Sequence, residues 1–372
     1  MRMRLLFLSV CLLATLLLAS CNATHTAPPV ASVARTYHGT ASVGDFMTLD
    51  VNSDTQLITY EDLSNGDKGV VTYVVNSDGT YTLNDPKGNL VAAYEVPNYA
   101  LLVQAAKTGP NENSPALITA VDSGRVSLAS FEGQSYNYMQ FRTASGGLEV
   151  GSVNINAQGT GTNSSYWPYG ALNQGSEGSP FNSGTIDFAH AQVDSTGTFL
   201  TLSDGSSNDY IFGTANGVFA VDTPNGAILG LPKASSKNFD PSFAGTYKAI
   251  FYQKKNASSG LGNAETGTPS LGNATLYVTN SGGMNIEDED GNLMMQATLT
   301  PVADAAYLYG SSGELQDPCY GIFTFRVTTA NSQQDVFVTF MDQALLFSSF
   351  SASLPWSPGV GTYNYMYGVG LK

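Results

Sequence analysis

Hydrophobic and polar residues alternate over short stretches along most of this chain, and the pattern predicts β-strands. In residues 46–52, Met47, Leu49 and Val51 occupy every second position, which gives an extended strand one continuous apolar face. Turn-forming pairs such as Asn65-Gly66 and Asp290-Gly291 separate such runs. Further runs of β-branched and aromatic residues lie at Val70–Val75, Leu90–Val96, Leu148–Ile155, Val336–Phe340 and Leu345–Phe350. The pattern therefore predicts an all-β fold of antiparallel sandwich or barrel modules.

A short sequence repeat suggests how many modules there are. Tyr73–Gly79 matches Tyr277–Gly283 at five of seven positions, and Val193–Phe199 is a looser third copy. Each copy predicts a β-hairpin whose glycine supplies a positive φ at the turn. The turn glycines are 118 and 86 residues apart, which is a domain-sized spacing and too long for a blade or solenoid repeat. Duplication of a module and chance similarity among hairpins of like composition both remain open.

We accordingly expect two or three β modules of about 100 residues each. The predicted ranges are a first module at 34–129, a second at 130–238 and a third at 239–372, preceded by residues 1–20 and 21–33. Gly-Thr-Tyr segments that open predicted strands resemble those of lipocalin-like barrels, although no defining motif of that family is present.

The N-terminus has the layout of a secretory signal. Arg2 and Arg4 precede an almost wholly apolar run, Leu5–Leu18, and small residues follow, which is the order of basic, hydrophobic and cleavage regions. The alternatives are an uncleaved membrane helix, for which about 20 apolar residues are needed, and an ordinary signal in which the following cysteine is incidental.

The tetrapeptide Leu18-Ala19-Ser20-Cys21 resembles the lipobox of bacterial lipoproteins. The resemblance covers residues 1–21 only. It implies that Cys21 carries a diacylglycerol, that residues 1–20 are removed, and that 21–33 form a tether. Asn22 in place of aspartate favours the outer membrane over the inner membrane. The membrane is thus the first predicted partner, and a palmitate-type lipid on Cys21 would anchor the protein to it.

The charge balance excludes one class of partner. The chain has 15 basic and 30 acidic residues, and loss of Arg2 and Arg4 would leave a net charge of −17. So acidic a chain does not favour binding to nucleic acid. Once Cys11 is removed and Cys21 is lipidated, only Cys319 remains, so no intramolecular disulfide can form. We expect Cys319 to be a small buried residue.

No catalytic or cofactor motif is present in the sequence. It lacks Gly-x-Ser-x-Gly, His-Glu-x-x-His and Cys-x-x-Cys, and it contains three histidines, which disfavours zinc hydrolases and histidine-based triads. The acidic run Glu287–Asp290 does not fit an EF-hand, because Ile286 and Ala297 would fall at ligand positions. We therefore predict no cofactor and no metal site. For this acidic run we predict a solvated turn, with a cation site as the alternative. A glycosidase with two distant carboxylates remains open.

Aromatic residues on a predicted loop are the candidate ligand-binding site. Tyr166, Trp167 and Tyr169 lie in the Gly/Ser/Asn-rich segment 159–184. Such residues can stack on a sugar or form a protein-binding hot spot, or they can pin the loop to the barrel. By contrast, Tyr363, Tyr365 and Tyr367 share one strand face, which favours core packing.

These features together predict a lipid-anchored, cell-envelope, all-β protein that acts in binding or as a structural surface component. A glycan or another envelope protein is the expected partner beyond the membrane. The alternative is a carbohydrate-active enzyme that uses an Asp/Glu pair.

Overall fold

A computed structural model describes residues 34–88, 90–108, 114–142, 147–166, 180–188, 190–203, 205–214, 217–224, 226–257, 268–305, 317–353 and 363–372. Of the residues singled out above, Trp167, Tyr169 and the whole N-terminal segment 1–33, which includes Cys21 and Asn22, lie outside these ranges. No helix in the described ranges is long and apolar enough to cross a membrane.

In the described residues, the first eight strands close into an antiparallel barrel, because the first strand pairs with both the second and the eighth. The strands are β1 Arg35–Ala41, β2 Phe46–Asn52, β3 Leu57–Asp62, β4 Lys68–Val75, β5 Thr80–Asn84, β6 Leu90–Val96, β7 Ala100–Thr108 and β8 Ser114–Asp122.

The second sheet has nine strands in the part of the chain that is described. They are β9 Ser135–Arg142, β10 Gly147–Ile155, β11 Thr160–Tyr166, β12 Pro180–Asp187, β13 Gln192–Val193, β14 Leu200–Ser203, β15 Asn208–Gly213, β16 Phe219–Thr223 and β17 Gly226–Pro232. Their order is β12-β11-β10-β9-β17-β16-β15-β14-β13.

The third sheet also has nine described strands. They are β18 Gly245–Ala257, β19 Thr268–Val278, β20 Gly283–Asp288, β21 Leu293–Thr298, β22 Thr300–Pro301, β23 Ile322–Thr328, β24 Ser332–Met341, β25 Ala344–Ser353 and β26 Tyr363–Leu371. Their order is β21-β20-β19-β18-β26-β25-β24-β23-β22. Short 3₁₀ turns lie at Leu128–Ser130, Pro241–Phe243 and Val302–Asp304.

The all-β prediction is therefore confirmed, and the three sheets share one topology. In each, the first strand pairs with the last, and all pairings are antiparallel. In each nine-stranded sheet, the fourth and fifth strands along the chain are the two edge strands. The ring of strand pairings that closes the barrel is therefore open at the same place in both of these sheets. This common strand order supports duplication, which stays a prediction.

The apolar strand faces that the sequence predicts form the hydrophobic cores of the protein. Met47, Leu49 and Val51 are buried inside the barrel together with Tyr37 and Leu101. A separate cluster is shared by all three sheets and includes Phe46, Phe141 and Phe337. The residues from Arg35 to Lys372 form one compact unit, because the outward faces of several strands are buried against a neighbouring sheet.

The hairpin repeat aligns differently in the structure. The turn glycine with positive φ is Gly79 in the first copy, and it is Gly282, not Gly283, in the other. The alignment of Tyr73–Gly79 with Tyr277–Gly283 is thus wrong by one residue. A one-residue shift reverses the side-chain faces of a strand, and Tyr73 is accordingly 2% exposed whereas Tyr277 is 39% exposed.

Candidate functional site

A cleft of about 230 Å³ lies between the barrel and the third sheet. The β4–β5 hairpin and strands β5 and β6 form the barrel wall, while β18, β19 and the β20–β21 turn form the opposite wall. The polar side chains that line it include Asn76, Asp78, Thr82, Lys248, Asn273 and Glu289. This cleft is the candidate binding site.

The barrel wall is fixed by a tight turn between β4 and β5. Asp78 Oδ1 accepts hydrogen bonds from the backbone N–H and the hydroxyl of Thr80, at 3.1 and 2.7 Å. Asn76 Nδ2 donates to the hydroxyls of Thr80 and Thr82, at 2.9 and 3.1 Å. These bonds hold the polar groups of the wall in place before any ligand arrives.

The Asp78 carboxyl is held in its ionised form. The hydrogen bonds from Thr80 lower its pKa most, and the positive charge of Lys248 across the cleft lowers it further. Both effects stabilise the carboxylate relative to the neutral acid. Asp78 is thus a hydrogen-bond acceptor at neutral pH.

The opposite wall carries an ammonium group with spare donors. Lys248 lies opposite Thr275 in the β18–β19 pairing, and its Nζ donates to the Thr275 hydroxyl at 3.4 Å, near the limit for a hydrogen bond. Within the described residues this is its one side-chain hydrogen bond, and Lys248 forms no ion pair. Because an ammonium has three donors, Lys248 can donate to a ligand.

One hydrogen bond beside the cleft ties the barrel to the third sheet. Gln104 Nε2, on barrel strand β7, donates to Asn273 Oδ1, on β19, at 2.6 Å. This contact orients the Asn273 amide, whose Nδ2 remains a donor beside the cleft. The barrel and the third sheet are therefore in direct contact next to the site.

The cleft suits a small polar molecule. Its charged lining groups are Asp78, Glu289 and Lys248, and their formal charges sum to −1. Its volume is below the ~300–1,000 Å³ typical of drug-sized sites. No group of three or more metal-ligating side chains occurs among the residues that the structure describes.

The predicted acidic turn is confirmed as a hairpin turn. Asp288 Oδ1 accepts from the backbone N–H groups of Asp290 and Asn292, at 3.1 and 2.8 Å, and Gly291 has a φ of 79°. Asp288 therefore closes the turn between β20 and β21. Its neighbour Glu289 borders the cleft, a position that the sequence did not indicate.

The aromatic ligand-site prediction remains a prediction. Tyr166 is the last residue of β11, and Trp167 and Tyr169 lie outside the described residues. Tyr365 and Tyr367 are buried as predicted, at 5% and 1% exposure.

Cys319 is buried, as its sequence context predicted. It is 1% exposed, and burial raises the pKa of its thiol to about 12. A thiol that stays protonated at neutral pH is a poor nucleophile.

Sequence reasoning missed Lys248 and Asp78 as partners in one site. They are far apart in the chain, and neither belongs to a spaced motif. The nearest signal was the hairpin repeat, since Asp78 lies in the first copy and Asn273 shortly precedes the second. The repeat predicts turns, but it does not predict which sheets meet.

The fold and the cleft define an all-β protein of three meander sheets with a polar inter-sheet site. No protein-family model matches the chain, and no curated protein matches it. Among solved structures, a variant of the vaccine antigen transferrin-binding protein B from Haemophilus parasuis has a TM-score of 0.21 and 7% identity, covering 92% of this chain and 77% of that one.

Two further solved structures are similarly distant. A double variant of the same antigen has a TM-score of 0.21 and 8% identity, covering 91% of this chain and 76% of that one. A luciferin-regenerating enzyme has a TM-score of 0.14 and 10% identity, covering 91% and 93%. Scores this low assign neither a fold family nor a function.

Proposed function

We propose that this chain is a lipid-anchored binding protein of the cell envelope, and that the cleft between the barrel and the third sheet is its binding site. The observation that carries the proposal is that Lys248 and Asp78 line the cleft from opposite walls, close enough for the charge of Lys248 to lower the Asp78 pKa. Each has hydrogen-bonding capacity left over, and the turn at Thr80 and the Gln104–Asn273 bond hold the walls in place.

The anchor part of the proposal is supported by the lipobox-like segment Leu18–Cys21. A diacylglycerol on Cys21 would supply two acyl chains, enough for stable membrane attachment where a single chain is not. Asn22 favours the outer membrane as the destination.

A second candidate function is glycoside hydrolysis, because Asp78 and Glu289 border the cleft from opposite walls. Such enzymes need one carboxyl with a raised pKa to act as general acid. The pKa of Asp78 is instead lowered, and Glu289 lies exposed on a turn. The arrangement therefore favours binding over catalysis.

The anchor is tested by metabolic labelling with a palmitate analogue. The wild-type chain and a Cys11→Ser control are expected to incorporate label, and Cys21→Ser is expected to lose it. Equal labelling of the Cys21→Ser variant would refute the anchor.

Binding at the cleft is tested by filling it. Ala92 lines the cleft, whereas its neighbour Val91 is exposed and is not among the lining residues. The full chain is dialysed to equilibrium against the small-molecule fraction of a cell extract, and retained compounds are identified by mass spectrometry. A compound retained by wild type and Val91→Trp, but not by Ala92→Trp, supports the proposal. Retention that is identical in all three chains contradicts it.

A further inference from the structure

We propose that the cleft takes a neutral saccharide, with neighbouring hydroxyls of one sugar ring bridging Lys248 and Asp78. This inference rests on the proposed binding function and specifies its ligand class. It starts from the hydrogen-bonding groups that the two walls present to the cleft.

Lys248 offers hydrogen-bond donors to a ligand. The residue is half-buried, and its bond to Thr275 is long, at 3.4 Å. An oxygen atom of a ligand that accepts from the ammonium forms a charge-assisted hydrogen bond, which is stronger than a bond between neutral groups. A sugar hydroxyl oxygen can do this.

Asp78 is exposed and can accept a hydrogen bond from the ligand. Both hydrogen bonds from Thr80 go to Oδ1, so Oδ2 can accept from a molecule in the cleft. The same hydroxyl that accepts from Lys248, or its neighbour on the ring, can donate to Asp78, because a hydroxyl has one donor and two acceptor positions. Two adjacent hydroxyls therefore satisfy both walls at once.

The remaining lining disfavours anionic ligands and wholly apolar ligands. The formal charge of −1 opposes an anionic ligand. A wholly apolar ligand would cover the remaining donors and acceptors of Lys248, Asp78 and Asn273 and leave them unsatisfied, which is costly. The lining also includes Tyr94, Ala92 and Ile250, which offer apolar surface to the C–H groups of a sugar ring. The volume of about 230 Å³ suits a single sugar ring.

The test measures saccharide binding to the full chain by saturation-transfer difference NMR. The chain is purified in a detergent without a sugar headgroup, since a glycosidic detergent would compete. The probes are glucose, galactose, mannose, N-acetylglucosamine and their β-linked disaccharides, with glucuronic acid and the zwitterion dialanine as comparators. At least one neutral saccharide is expected to bind, and more tightly than either comparator.

Variants assign the binding to the cleft. Lys248→Met keeps the aliphatic stem and removes the donors, so it is expected to weaken saccharide binding at least tenfold. Lys255→Met is the matched control, because Lys255 is exposed on the same strand and does not line the cleft; its affinity is expected to equal wild type. Asp78→Asn provides a second variant, checked for folding by its thermal unfolding midpoint.

The outcomes separate this inference from the proposed function. Failure of every neutral saccharide, or binding that Lys248→Met leaves unchanged, overturns the inference. If dialanine or a compound retained in dialysis binds and is lost in Lys248→Met, the cleft is a binding site but its ligand is not a neutral saccharide. If neither experiment shows cleft-dependent binding, both proposals fail.

Discussion

The hydroxyl of Thr40 donates a 2.6 Å hydrogen bond to the carboxylate of Asp222, and both residues are buried. Thr40 lies on β1 of the barrel and Asp222 on β16 of the second sheet, so the bond crosses from one sheet to the other. Burial raises the pKa of Asp222 well above its ordinary value. The hydroxyl of Thr40 partly offsets the cost of placing this carboxyl away from water.

Replacing Thr40 with valine removes this donor while keeping the shape of the side chain. We expect Thr40→Val to lower the free energy of unfolding by roughly 1–3 kcal/mol, because a buried acceptor loses its partner. Thr59→Val, on the exposed face of β3, is the control and is expected to change stability by about 0.5 kcal/mol or less. Urea denaturation measures both. Equal effects would mean that the inter-sheet bond contributes nothing specific.

His38 and Asp62 give the fold opposing pH dependences. His38 Nε2 lies 2.8 Å from the Thr198 hydroxyl, and burial lowers the His38 pKa to about 4. Burial raises the Asp62 pKa to about 6, with the charge of Asp45 adding to the shift. Protonation of His38 favours the unfolded chain, so its contribution to stability increases as pH rises from about 4 to 6.5. Ionisation of Asp62 favours the unfolded chain, so its contribution is full below about 4 and is lost as pH rises through 6.

We therefore expect two variants to shift the pH profile of stability in opposite directions. Between pH 4 and 6.5, the free energy of unfolding of His38→Gln should fall relative to that of wild type as pH rises. The free energy of unfolding of Asp62→Asn should rise relative to wild type over the same range. Each change should be on the order of 2–3 kcal/mol across the window, since one pKa unit corresponds to about 1.4 kcal/mol. Denaturant titrations at several pH values measure the difference. Parallel profiles for the three chains would contradict the assignment.

The sequence predicted the strands and their inner faces well, because alternation is a local property. Met47, Leu49 and Val51 fill the barrel as their spacing predicts. The same pattern could not show that the outer face of β1 is also buried. His38 and Thr40 are 5% and 1% exposed, and that burial comes from the second sheet, which lies more than 60 residues further along the chain.

The candidate site was unpredictable for the same reason. The sequence pattern around Asp78 indicates only a turn, and the pattern around Lys248 indicates only an outward-facing position on a strand. Their relationship arises only when β5 and β18 come together across an interface between sheets. Hairpin spacing carries information about turns, and it carries none about the packing of one sheet against another.

The barrel interior contains an ion pair whose loss should be costly. Arg35 binds the Glu95 carboxylate in a bidentate manner, at 2.6 and 2.8 Å, and the hydroxyls of Tyr37 and Tyr81 donate to the same carboxylate at 2.6 and 2.7 Å. The Glu95 side chain is fully buried. Removing the cation leaves a buried charge with only the tyrosine donors.

We expect Arg35→Met to destabilise the protein by about 3–5 kcal/mol. The control is Lys68→Met, because Lys68 pairs with Glu61 in the same barrel and both side chains are exposed; this pair should contribute about 0–1 kcal/mol. Urea unfolding measures both. A loss for Arg35→Met no larger than that for Lys68→Met would show that the tyrosines alone satisfy Glu95.

Gly368 has no side chain, and an aromatic ring of the third sheet occupies the space beside it. It lies opposite Phe347 on one neighbouring strand and Phe251 on the other. A Cβ at Gly368 would lie 2.3 Å from the Phe347 ring and 2.8 Å from the Phe251 Cβ. Since these contacts are far below van der Waals distance, the ring or the strand would have to move.

We expect Gly368→Ala to destabilise the protein by about 1–3 kcal/mol through overpacking. Phe347→Leu should recover part of that loss in the double variant, because contacting residues show non-additive effects. Gly291→Ala is the control, because an added Cβ there meets no atom within 4 Å. Its effect on stability comes from backbone strain at positive φ. We expect that effect to add to the effect of Phe347→Leu. Thermal and urea unfolding of the wild type and the five variants give the coupling energies. Additivity at Gly368 would mean that the sheet adjusts without displacing the ring, and that Gly368 is not required for the packing of Phe347.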